Sequence, residues 1–216
     1  MPSGVGAFIV QTLLISMSGV LAPGPVTAAT LAAGARRPTA GAWIAVGHGL
    51  VEFPLMALIL AGAGAWLRLP RFQAGVGLAG GIALIVMACL MLHGLWRSAR
   101  RPPGGGGPAA DPTGRRLGPV WTGVVLTAGN PYFLVWWATV GLALATKAAG
   151  LGVLGFALFA VVHWCCDLLW LAALALASHR GVVLLGPRAQ QVVTLVCAAA
   201  MGVFGVMFLA GALGEA

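Results

Sequence analysis

Apolar residues run along the chain in six long blocks, separated by short clusters of Gly, Pro and charged residues. The blocks cover approximately 6–35, 41–67, 75–96, 119–146, 150–177 and 191–214. Each is of the order of the 20 apolar residues that a helix needs to cross a hydrocarbon core. The stretch between the third and fourth blocks holds Pro102-Pro103, four glycines and Pro108. It is too polar and flexible to pack and reads as a linker. No Lys-Ser/Thr follows the glycines and no strand precedes them, so they are not a phosphate cradle. The expected organisation is a three-helix unit over 1–98, a Pro/Gly-rich linker over 99–118 and a second three-helix unit over 119–216.

Composition turns these blocks into membrane spans. Of 216 residues, 60% are hydrophobic and 7% charged, with a mean hydropathy of +1.00. Soluble domains carry about a quarter of their residues as charges. Here 12 basic and 4 acidic side chains cannot cover the apolar surface of a water-soluble globule. The expected fold is an all-α membrane protein of six transmembrane helices, with no room for a soluble catalytic domain. The first basic residue is Arg36, so no basic n-region precedes the first block. A cleaved signal is not expected, and Met1 is expected to begin the mature protein.

The net charge of +8 does not point to nucleic acid, because the basic residues lie in the breaks between apolar blocks rather than on one face. Connections one, three and five carry Arg36, Arg37, Arg97, Arg100, Arg101, Arg115, Arg116, Arg180 and Arg188. The other side has Arg68, Arg71 and Lys147. The bias places the first set and the linker in the cytoplasm and both termini outside a prokaryotic inner membrane. With three spans on each side of the linker, the two units enter the membrane from opposite sides, as in a 3+3 inverted repeat.

Two features recur between the units. The first block is interrupted by Pro23-Gly24-Pro25 and the fourth by Gly129-Asn130-Pro131. Proline removes a helical hydrogen bond and clashes with the preceding turn. The first and fourth helices are therefore expected to be broken, which is tolerated in a bilayer only against protein or a water-filled cavity. Paired interruptions at matching places point to a transporter's binding site, although kinks that serve packing alone give the same pattern. The second feature is His-x-x-x-carboxylate, as His48 and Glu52 in the second block and His163 and Asp167 in the fifth. A spacing of four puts imidazole and acid on one helical face. Glu52 and Asp167 are the only acids within the blocks, and intramembrane carboxylates are costly unless paired, protonated or hydrated. Glu52 lies about 16 Å along its helix from Gly41, near mid-membrane. Pro54 frees the carbonyl of Leu50 and adds an acceptor on the same stretch. The competing reading makes both acids helix-packing groups satisfied by their own histidines.

Cys89, Cys165, Cys166 and Cys197 form no C-x-x-C pair and read as packing residues. Trp136, Trp137, Trp164 and Trp170 are candidate cavity walls, with packing the commoner role. His93 and His179 read as interface residues beside Arg97 and Arg180.

The chain resembles the LysE/RhtB family of amino-acid exporters over nearly its whole length. The resemblance rests on SGVLAPGPVTAATLAAGARR in the first helix and AVGHGLVEFPL in the second, with TAGNPYFLVWWATVG in the fourth and HWCCDLLW in the fifth. It implies an inner-membrane translocator with broken first and fourth helices that exports a small metabolite, usually an amino acid, against protons. Pro23, Gly24 and Pro25 match the family's first-helix motif, Asn130 and Pro131 its fourth-helix motif, and Asp167 the acid of its fifth. The His48/Glu52 pair departs from the best-known amino-acid exporters and looks more like a less characterised prokaryotic branch. Electron-carrying relatives need Cys in the first and fourth helices, where this chain has none.

Two functions are therefore expected to compete. In the first, a helix N-terminus after Pro25 or Pro131 holds a substrate carboxylate, while Glu52, Asp167, His48, His163 and Asn130 handle the ammonium group and the coupling proton. In the second, His48, Glu52, His163 and Asp167 converge on a divalent transition metal as two nitrogens and two oxygens. No nucleophile–base–orienter triad presents itself, so no enzyme and no cofactor are expected. The expected partners are a small-molecule substrate and membrane lipid, and a homo-oligomer is compatible with the sequence.

Overall fold

The computed structural model describes residues 2–67, 69–100 and 118–214. Arg68, Glu215 and most of the expected linker, with Arg101, Asp111, Arg115 and Arg116, lie outside the described residues. No strand occurs among those described, and the protein is an all-α, multi-pass membrane protein. Among the described residues five helices are long and apolar enough to cross a bilayer, or six if a bent pair counts as one broken span.

The bent pair is the first block. Helix α1 (Pro2–Val20) ends before Pro23, and α2 (Pro25–Gly34) restarts with Pro25 in its first turn. Proline is suited to that position because its missing N–H has no intrahelical acceptor to lose. Gly24 between them is extended, and the two helices meet at 81°. The second span joins α3 (Ala40–Leu58), a wide π-type turn at Ile59–Ala63 and α4 (Gly64–Leu67). Gly62 adopts φ 103° in that turn, a conformation that disfavours any side chain. Helix α5 (Pro70–Ala99) is the third span and extends the expected block at both ends.

The fourth block begins with the short α6 (Pro119–Ala128). After the break come α7 (Pro131–Trp136), a π-type turn at Trp137–Gly141 and α8 (Leu142–Ala149). The part after the break, Pro131–Ala149, is by itself long enough to span. Gly152, at φ 81°, makes the tight turn into the last element, α9 (Gly152–Gly214).

Helical turns run along all of α9, but they divide into two separate spans, the expected fifth and sixth helices. Drawn straight, α9 would put Asp167 and Phe204 about 55 Å apart. Both line one cavity, so its two spans, Gly152–Gly181 and Thr194–Leu213, fold back side by side.

Close approach of backbones sets the packing. A Cβ on Gly47 would fall inside the Val120 carbonyl, and one on Gly123 inside the carbonyl of Ile44. A Cβ on Gly41 would strike the carbonyl of Leu171. Only glycine therefore lets α3 lie directly on α6 and on the first span of α9, as small residues do at membrane helix interfaces. Elsewhere Leu84, Ala88 and Met91 of α5 meet Cys197, Ala198 and Met201 of α9. The largest buried cluster gathers Phe8, Met56, Trp137, Leu142 and Phe159 around the fourth span.

Candidate functional site

Gly47 and Gly41 bring the His48–Glu52 face of α3 against the first span of α9, where His163 and Asp167 lie one turn apart. All four side chains are buried, and Glu52 is only 1% exposed. The four expected residues therefore meet, but not as two equal pairs. Glu52 Oε1 is the shared acceptor. It lies 3.2 Å from His48 Nε2 and 3.1 Å from His163 Nε2, and it accepts from Trp137 Nε1 at 3.3 Å. Asp167 stands further off, with Oδ1 at 3.7 Å from His48 Nε2 and Oδ2 at 3.7 Å from His163 Nε2. These are electrostatic contacts beyond hydrogen-bond length. His163 thus bonds the acid of the other helix rather than the one four residues along its own.

The second nitrogen of each ring meets a hydroxyl. His48 Nδ1 is 2.9 Å from Thr127 Oγ1 at the end of α6, and His163 Nδ1 is 2.7 Å from Ser16 Oγ on α1. Trp136 stacks on the His163 ring at 5.2 Å between centroids, and Trp137 meets it edge-on at 5.4 Å. His48 has only the edge of Phe133, at 5.4 Å.

The cluster forms one wall of a cavity of about 80 Å³, and the Pro23–Thr27 break forms another. Asn130, Tyr132, Trp136 and Phe204 contribute the remainder that matters here. Glu52 Oε2 and Asp167 Oδ2 are buried with no hydrogen-bond partner among the described residues. Buried polar atoms rarely stay unpaired, so these oxygens mark where a proton or a cationic group fits.

The two helix breaks differ in what they offer. Helix α2 has no side-chain cap, and its first residues, Pro25, Val26 and Thr27, line the cavity. The first N–H groups of a helix lack intrahelical acceptors and carry the positive end of its dipole. At the other break Asn130 caps α7, its Oδ1 accepting from Tyr132 N at 3.1 Å. Asn130 is therefore a structural cap that also borders the cavity. Gly129 and Pro131 turn away from it and line a separate groove with Arg71, Phe72 and Gly80. Pro54 and Leu50 are exposed on the outer side of α3 and do not line the cavity, so the expected extra acceptor is not offered to it.

Three of the four cluster residues, His48, Glu52 and Asp167, bring ligand atoms within 4.8 Å of one another. His163 is not part of that grouping, although its Nε2 lies beside Glu52 and Asp167, so three of the four ligands expected for a metal converge. The cysteines are all free thiols. Trp136 and Trp137 are cavity walls, whereas Trp164 donates to the Ala45 carbonyl at 3.1 Å, and neither it nor Trp170 lines the cavity. His93 stacks on Trp96, away from the site.

Ser16 and Thr127 had no signal in the sequence beyond being hydroxyls inside apolar blocks. The family model described as LysE type translocator matches residues 17–211. The chain belongs to that family. No curated protein and no solved structure matches it. The translocator family is one of transporters, so the protein is a membrane transporter of amino acids or related compounds, working on a small molecule in a lipid environment. The match takes in both breaks, both His–carboxylate motifs and Thr127, and begins one residue after Ser16.

Proposed function

We propose that this translocator exports a compact amino acid, or a related zwitterion, in exchange for protons. The observation that carries the reading is that one cavity is bounded by the uncapped start of α2 on one side and by the Glu52 cluster on the other. The substrate carboxylate docks at the free N–H groups after Pro25, where the helix dipole favours negative charge. Its ammonium group faces Asp167 Oδ2 and Glu52 Oε2, which have no hydrogen-bond partner among the described residues. Substrate and proton then compete for the same two carboxylates, which is the condition for exchange. His48 and His163, the only other titratable groups bonded to Glu52 among the described residues, pass the proton on.

The excess of Arg in the odd-numbered connections supports a cytoplasmic linker and outward termini in a prokaryotic inner membrane. The meeting of second with fifth span and third with sixth supports a 3+3 inverted repeat. Neither an enzymatic activity nor a cofactor enters this reading.

A ligand that binds only the native state raises its melting point. Purified protein in detergent is therefore expected to gain several degrees of Tm with millimolar L-amino acids of compact side chain, and Glu52→Gln to lose most of that gain. Stabilisation by micromolar Zn²⁺, Mn²⁺, Co²⁺ or Ni²⁺, lost in Glu52→Gln and with no amino-acid effect, would overturn the proposal in favour of a metal carrier.

A further inference from the structure

The hydroxyls behind the two imidazoles come from the opposite half of the chain in each case. His48, in the second span, is held by Thr127 of α6, and His163, in the fifth, by Ser16 of α1. Both hydroxyl residues are wholly buried. Both also sit on the broken helices. The Thr127 carbonyl accepts from Asn130 N at 3.1 Å, the last backbone bond before the α7 break. Two residues beyond Ser16, the Ser18 carbonyl accepts from Tyr132 Oη at 3.4 Å.

We propose that Ser16 and Thr127 are positioning residues that keep each imidazole aimed at Glu52 in both its neutral and its protonated form, and so tie proton occupancy to the two broken helices. The assignment rests on the proton-exchange reading above. A carboxylate oxygen can only accept, so with Glu52 ionised each Nε2 donates to it. A neutral ring then has a lone pair at Nδ1, which a hydroxyl fills by donating. A protonated ring has N–H at Nδ1, to which the same hydroxyl oxygen turns as acceptor. Proton uptake at Nδ1 thus needs only rotation of a C–O bond, with neither ring leaving Glu52. A backbone carbonyl or amide in the same place would suit one form and oppose the other. The titratable groups facing the rings are Glu52, Asp167 and each other.

The test is ¹⁵N NMR of histidine-labelled full-length protein in lipid nanodiscs, with the His48 and His163 rings assigned from His48→Gln and His163→Gln. Thr127→Val is expected to shift the His48 Nδ1 resonance and lower its titration midpoint by about half a pH unit or more, because the lost buried hydrogen bond is stronger for the charged ring. The His163 ring is expected to stay as in the wild type. Ser16→Ala should do the converse, and Thr127→Ser should restore the wild-type ring. Unchanged ring shifts and midpoints in Thr127→Val and Ser16→Ala would overturn the assignment, as would a Thr127→Ser ring that behaves like Thr127→Val. The two failures are separable. Unmoved rings overturn the positioning role whatever the protein binds, and absence of an amino-acid response in the wild type overturns the exporter reading whatever the rings do.

Discussion

Glu52 concentrates the chemistry of the site on one oxygen. Two imidazoles and one indole point at Oε1, while Oε2 is buried and free. Removing the carboxyl leaves three buried donors without an acceptor, so Glu52→Ala is expected to destabilise the protein by about 3 kcal/mol, read as a large fall in Tm. Glu52→Gln keeps an oxygen for these donors and should retain most of the stability. Trp137→Phe removes a single donor and is expected to cost about 1 kcal/mol, with substrate affinity moved little. The four cluster residues were legible in the sequence because charge inside an apolar block is conspicuous and a spacing of four fixes a face. Their crosswise bonding was not, because spacing describes one helix and says nothing of which acid a histidine meets across an interface. Ser16 and Thr127 were illegible for a further reason: a hydroxyl can bond its own helix backbone, as Thr139 and Thr146 do at 2.8 and 2.7 Å, so its presence in a span marks nothing.

At the scale of elements, glycine contacts decide whether the cluster can assemble. Gly47 and Gly123 let α3 and α6 touch backbone to backbone, and His48 and Thr127 lie beside that contact. Gly123→Val is expected to push these helices apart, break the His48–Thr127 bond and cost about 3 kcal/mol, measured as lost thermal stability and lost amino-acid response together. Gly24→Ala is a useful contrast, since a methyl there meets nothing within 4 Å and the backbone is extended, so the fold should be unaffected. The apolar blocks and both breaks were readable from proline placement, and the 81° bend of α1 against α2 is the outcome at the first break. The π-type turns were not readable; Trp137 and Leu142, at the second of them, belong to the largest buried cluster.

Across the whole molecule, the parts combine into one prediction about flux. Both broken helices reach the cavity, and both are bonded to the imidazoles that flank Glu52. A change in what Glu52 holds is thereby felt by elements from both halves of the chain. Discrete elements biased by a site in this way are the physical basis of a coupled transition. The direct test is proteoliposomes containing a pH-sensitive dye, with an imposed gradient of a compact L-amino acid. Amino-acid efflux is predicted to drive protons the opposite way through the wild-type protein, and Glu52→Gln to lower that proton movement about tenfold or more while remaining folded. Amino-acid flux with no proton movement, or proton movement undiminished in Glu52→Gln, would contradict the account.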